Sequence, residues 1–153
     1  MASLRLCVRR APLEAPDGPG TAVSVRLPSD IDCIEEAVAL LTYHCTAGMR
    51  ASSRLRFRLQ VVLAEALANA MLRGNREQPG TWVDVRAVLL PELVRLHIAD
   101  EGPGFDPAAV PEPVTPARLH QPNGRGLFLM RHLADSVDFN AQGNAVCITL
   151  RRS

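Results

Sequence analysis

Three short groups of residues have the types and spacing to do chemistry. The first is Glu65-Ala-Leu-Ala-Asn69. On a helix, a spacing of four puts both polar side chains on one face, about one turn apart. Their flanks, Val61, Val62, Ala68 and Leu72, are apolar. A carboxylate and a carboxamide in such a sector are costly without partners. Either the pair sits at a helix edge and reaches water, or it faces a polar ligand. In the second case the carboxamide oxygen suits Mg²⁺, which keeps waters and phosphate oxygens as its other ligands. The carboxylate could then take the proton of an attacking hydroxyl.

The second group is Asp100-Glu-Gly102-Pro-Gly104-Phe-Asp106, at the end of a predicted strand. It could be a plain turn. At a strand end, however, a carboxylate can accept hydrogen bonds from an exocyclic amine such as that of adenine. The glycines let a ligand approach the backbone and permit hinging. The third group, Gly124-Arg125-Gly126-Leu127, opens a predicted helix. It is either a simple loop-to-helix junction or a phosphate site, since a helix N-terminus offers free N–H groups and a favourable dipole. It follows a loop and not a strand, so it is no dinucleotide fingerprint, and the chain carries no P-loop.

The elements that must position these groups come in blocks. Residues 4–10 and 21–27 alternate as strands, separated by the proline- and glycine-bearing loop Ala11–Gly20. Pro28-Ser29-Asp30 supplies a helix start, with Glu35 and Glu36 near its positive end. That helix is expected to run from about Ile31 to about Thr46. A second is expected from Ser52 or Ser53 to about Leu72; from Leu59 to Leu72 it is apolar almost all round, as a buried helix would be, and it stops at Gly74-Asn75. Strands over about Thr81–Leu90 and Leu93–Asp100 form a hairpin. A proline-rich stretch follows without periodicity, and long loops of that kind are functional lids or disordered. A third helix is expected from about Gly124 to about Asp135. Two strands, about Val137–Ala141 and Ala145–Arg151, close the chain through Gln142-Gly143-Asn144. Blocks of strands and helices predict an α+β fold, with helices on one face of a mixed, largely antiparallel sheet.

Composition narrows the function. At 153 residues and 47% hydrophobic, the chain suits one ordinary globular domain. A net charge of +1 argues against a protein that coats nucleic acid. Cys7, Cys33, Cys45 and Cys147 match no zinc spacing and sit among apolar neighbours, which predicts buried, reduced thiols. His44, His97, His120 and His132 are scattered, and no pair has metal-ligand spacing. Arg9-Arg10 is followed by proline and acid, a poor export signal, and no apolar run approaches the ~18 residues of a membrane span. The chain reads as cytoplasmic.

Taken together and in order, the three groups resemble the nucleotide-binding (Bergerat, GHKL-type) domain shared by DNA gyrase, sensor histidine kinases, heat-shock ATPase chaperones and MutL repair proteins. Glu65 and Asn69 look like its N box, Asp100–Gly104 like its first glycine box and Gly124–Leu127 like its second. The resemblance covers the chain from about residue 21 to its end. EALANAMLRGN, DEGPGFDP and GRGLFLMRHLAD look most like the small bacterial anti-sigma factor kinases. It implies a two-layer α/β sandwich, one ATP-binding kinase-like domain over 1–153, an N-terminal strand and loop over 1–20 and an ATP lid over 105–123.

The resemblance also implies roles. Glu65 would be the general base on a partner's serine or threonine hydroxyl. Asn69 would hold Mg²⁺ against the ATP phosphates. Asp100 would bind the adenine amine, Gly102 and Gly104 would shape that pocket, and Gly124, Gly126 and Leu127 would line the phosphate side. Arg125 adds a phosphate-side cation, or is a solvated surface arginine. Implied partners are a sigma factor and an anti-sigma factor antagonist as phosphoacceptor, with no direct nucleic acid and no membrane. A homodimer is also implied, with Tyr43 on its candidate surface. Two departures stand out. Arg73-Gly74 replaces the His-Gly common in relatives, and the lid is rich in proline, which would stiffen closure. The alternatives are a non-catalytic ATP-binding regulatory module and a detached histidine-kinase-like ATPase domain.

Overall fold

The computed structural model describes residues 6–13, 19–47, 51–109 and 122–152. Six strands form one sheet: β1 (Val8–Pro12), β2 (Thr21–Pro28), β3 (Trp82–Leu89), β4 (Leu93–Ala99), β5 (Ser136–Phe139) and β6 (Ala145–Arg151). Their order is β1-β2-β3-β4-β6-β5, and every pairing is antiparallel. Among the described residues three α-helices, α1 (Ile34–Thr46), α2 (Ser53–Asn69) and α3 (Pro122–Leu133), supply the second layer. The result is the expected α+β sandwich.

Alternation in the strands decides which face is covered. Val23, Val25 and Leu27 of β2 are buried, as are Val94, Leu96 and Ile98 of β4 and Val146, Ile148 and Leu150 of β6. They meet Leu41 of α1, Leu59, Leu63 and Leu67 of α2, and Leu127 and Met130 of α3 in one core. Burying each such side chain contributes roughly 1.5–3 kcal/mol. The intervening residues Ser24, Arg26, Asp84, Arg86 and His97 line a hollow of about 900 Å³ on the open face.

Local chemistry sets the helix ends. Asp30 accepts the Asp32 N–H at 3.0 Å and caps a single 3₁₀ turn, Ile31–Cys33, that leads into α1. Ser52 caps α2 by accepting the Leu55 N–H at 3.1 Å. The α2 helix does not run to Leu72 in regular form. After Asn69 it widens into one π-helical turn, Ala70–Gly74, in which the Asn75 N–H reaches Ala70 O at 2.8 Å. Nor is the stretch from Leu59 to Leu72 buried all round, because Gln60 is exposed and Leu72 is 47% exposed. Helix α3 starts at Pro122, two residues early, since proline is favoured in a first turn. Strand β1 is shifted to Val8–Pro12 because Pro12 pairs with Thr21. Of the expected lid over 105–123, residues 110–121 lie outside the described residues.

Candidate functional site

Helix α2 packs between α1 and α3, and its last regular turn carries Glu65 and Asn69. Both are half-buried. Neither side chain makes a hydrogen bond to any other described residue. The turn is wedged tightly against α3. A Cβ added to Gly126 would lie 2.5 Å from Glu65 Oε2, so a larger residue there would push the end of this flexible carboxylate aside. Burial pushes the Glu65 carboxyl above the usual range, and the nearby positive charge of Arg125 opposes this. Arg125 itself is exposed, and Leu127 is buried, with its side chain packed in the core. Gly124 lies in the first turn of α3.

One turn beyond, Asn69 lines a small cavity with Asp100, Phe105, Met130 and Asn144. Its volume is about 20 Å³, room for roughly one water. The Phe105 ring closes one side, edge-on to Phe139 at 5.3 Å and beneath the Arg73 guanidinium at 5.9 Å. A cavity of this size admits no purine as it stands.

Asp100 leaves the end of β4 with its N–H donated to Asn144 O at 2.9 Å. Its Oδ1 accepts the Gly102 N–H at 2.8 Å, and its carboxylate lies over Gly74, where any Cβ would collide with it. Burial raises its carboxyl above the ordinary range, and the Gly102 bond opposes the shift. The second oxygen meets no donor among the described residues. Gly104 takes φ +85° and packs against the β5–β6 turn.

The fold thus brings Glu65, Arg125 and Gly126 together, and beside them Asn69 and Asp100. Sequence reasoning missed two members of the neighbourhood. Asn75, legible only as a helix stop, ties the Asp100 turn to the rest of the fold. Phe105, which follows the recognised glycine box at the start of the expected lid, closes one side of the small cavity. The larger hollow on the open face contains none of the predicted residues. The expected burial of all four thiols fails at Cys7, which is exposed, because it precedes β1 at the sheet edge. Cys45 is fully inside, and burial pushes its thiol up to about 12. No group of three His, Cys, Asp or Glu among the described residues could hold a metal. No described helix is long and apolar enough to cross a membrane.

A family model described as histidine kinase-like ATPase domain matches residues 27–150. The chain is also similar to the serine/threonine-protein kinase BtrW of Bordetella bronchiseptica. It is 33% identical to that protein over 111 residues, covering 70% of this chain and 77% of the relative.

Proposed function

The chain belongs to the histidine kinase-like ATPase domain family, an ATP-binding domain, and from that premise we propose that it is a Mg²⁺-dependent serine/threonine kinase of the anti-sigma type. It binds a sigma factor and phosphorylates an antagonist of that interaction, acting in the cytoplasm as a homodimer. The observation that carries this reading is the pairing of Glu65 and Asn69. Two half-buried polar side chains share one helix face beside the first turn of α3 without a described partner. A ligand supplies what the fold withholds.

The residues fit the nucleotide and its metal. Asp100 keeps a free acceptor for the adenine amine, and the first turn of α3, with Gly124, Arg125 and Gly126, suits phosphates. With no cluster of acidic ligands among the described residues, Mg²⁺ would take the Asn69 carboxamide oxygen and complete its shell from phosphates and water. Bound there, it would neutralise the charge of the transferring group. Glu65 accepts the proton of the partner's hydroxyl as that oxygen bonds the γ-phosphorus, while the bond to the β-phosphate oxygen breaks and ADP leaves. A pure nucleotide sensor has no need of a carboxylate at this place, which favours transfer over the non-catalytic reading. The similarity to a serine/threonine kinase supports the same choice over a detached histidine-kinase-like ATPase.

The test is incubation with labelled ATP, Mg²⁺ and a candidate antagonist. Label is expected on an antagonist serine or threonine. ATP binding without transfer would leave a regulatory module.

A further inference from the structure

Asn75 follows Gly74 at the end of the π-helical turn and is only 4% exposed. A buried carboxamide offers two donors and an acceptor, all of which need partners. The nitrogen donates to Ser29 Oγ at 2.8 Å and to Trp82 O at 2.9 Å. The oxygen accepts the Glu101 N–H at 2.7 Å. One side chain therefore joins the turn before α1, the start of β3 and the exit of β4. The chain turns sharply to keep it there. Arg76 and Glu77, immediately after, both take left-handed φ values of 51° and 54°, which L side chains disfavour.

These bonds frame Asp100. Its own N–H is fixed on Asn144, and the next amide, Glu101, is fixed on Asn75. The two halves of the Asn75 amide do different work. Its donors hold the fold together, and its acceptor holds the Asp100 turn.

We propose that Asn75 is a positioning residue for base selection: its bond to the Glu101 N–H aims the Asp100 carboxylate at the amine edge of a purine. The proposal rests on the nucleotide reading above. An aimed carboxylate accepts from the C6 amine of ATP and repels the C6 carbonyl of inosine triphosphate. With the Glu101 bond lost, Asp100 stays tethered through Asn144 and Gly102 but swings, and the advantage of ATP disappears.

Calorimetry with ATP and with inosine triphosphate, each with Mg²⁺, tests this in the full chain and in Asn75→Ala, Asn75→Ser and Asn75→Asp, beside thermal melts. The wild type is expected to prefer ATP by at least about tenfold, because a site built to bond an amine rejects the analogue lacking it. Asn75→Ala and Asn75→Ser should bring the two affinities within about threefold, chiefly by weakening ATP. Asn75→Asp keeps an acceptor and loses the donors, so it should melt earlier yet retain the preference. The serine variant, polar and small enough to admit a water, carries the test if the alanine variant does not fold. An unchanged ATP preference in the alanine or serine variant, or equal weakening of both nucleotides, overturns the proposal and leaves Asn75 a structural residue. A wild type that binds both nucleotides equally overturns instead the placement of adenine on Asp100.

Discussion

Glu65 is the residue on which catalysis and stability oppose each other. Its carboxyl is raised by burial, with Arg125 only partly offsetting the effect. A carboxyl raised in the folded state binds its proton more tightly there than in the unfolded chain. Stability therefore falls as pH rises from the ordinary glutamate value through the raised one. Glu65→Gln removes that burden. The variant should resist urea better than the wild type at pH 7, and the difference should close in acid, where Glu65 is protonated. Its transfer rate should fall by about 10²–10⁴, the usual contribution of a general base, while ATP still binds. An undiminished rate in a labelled-ATP assay would remove Glu65 from the base role.

At the scale of elements, the site depends on how α3 lies against α2, and two contacts fix that. At the far end, Arg58 of α2 donates through Nε to Leu133 O at 2.6 Å, through Nη1 to Arg151 O at 3.2 Å and through Nη2 to Asp135 Oδ2 at 2.9 Å. It caps the C-terminus of α3 and ties it to β6. Arg58→Ala should lower unfolding free energy by about 1.5–3 kcal/mol, since these are charge-assisted bonds. Chemical denaturation checks this, and Arg58→Lys should recover little because lysine lacks the guanidinium fork. At the near end, Gly126→Ala forces Glu65 away from α3. The carboxylate is the end of a flexible side chain and can turn aside, and alanine favours the helix by about 1 kcal/mol, so stability should change little while ATP affinity drops. Wild-type affinity by calorimetry would show that the position of the Glu65 carboxylate does not matter to the nucleotide.

The whole molecule leaves large apolar side chains on its helical layer. Tyr43 of α1 is 67% exposed, with its ring edge-on to His44 at 5.4 Å. Under the proposed homodimer, α1 is a surface on which such a side chain is covered. Sedimentation velocity should then give a species of twice the 16.6 kDa chain mass, and Tyr43→Asp should shift it to the monomer. A monomeric wild type at micromolar concentration would remove the dimer from the proposal.

Much of this was legible locally. Period-two alternation over Thr21–Leu27 marked β2, and the spacing of Glu65 and Asn69 put both on one side of α2, because such patterns depend only on backbone geometry. The boundaries of β1 and the change to a π-helical turn after Asn69 were not legible, since cross-strand pairing and packing decide them. Other features depend on residues far apart in the chain. A Cβ on Gly74 would fall where the Asp100 carboxylate lies, and one on Gly126 would meet the end of the Glu65 side chain. Asn75 reads as a helix stop until folding brings Ser29, Trp82 and Glu101 to its amide. The sequence by itself determined the layers, the ordered groups and the chemistry each could offer. Only the tertiary structure decided which carboxylate meets which glycine and what aims Asp100, because those contacts join segments that have no local reason to meet.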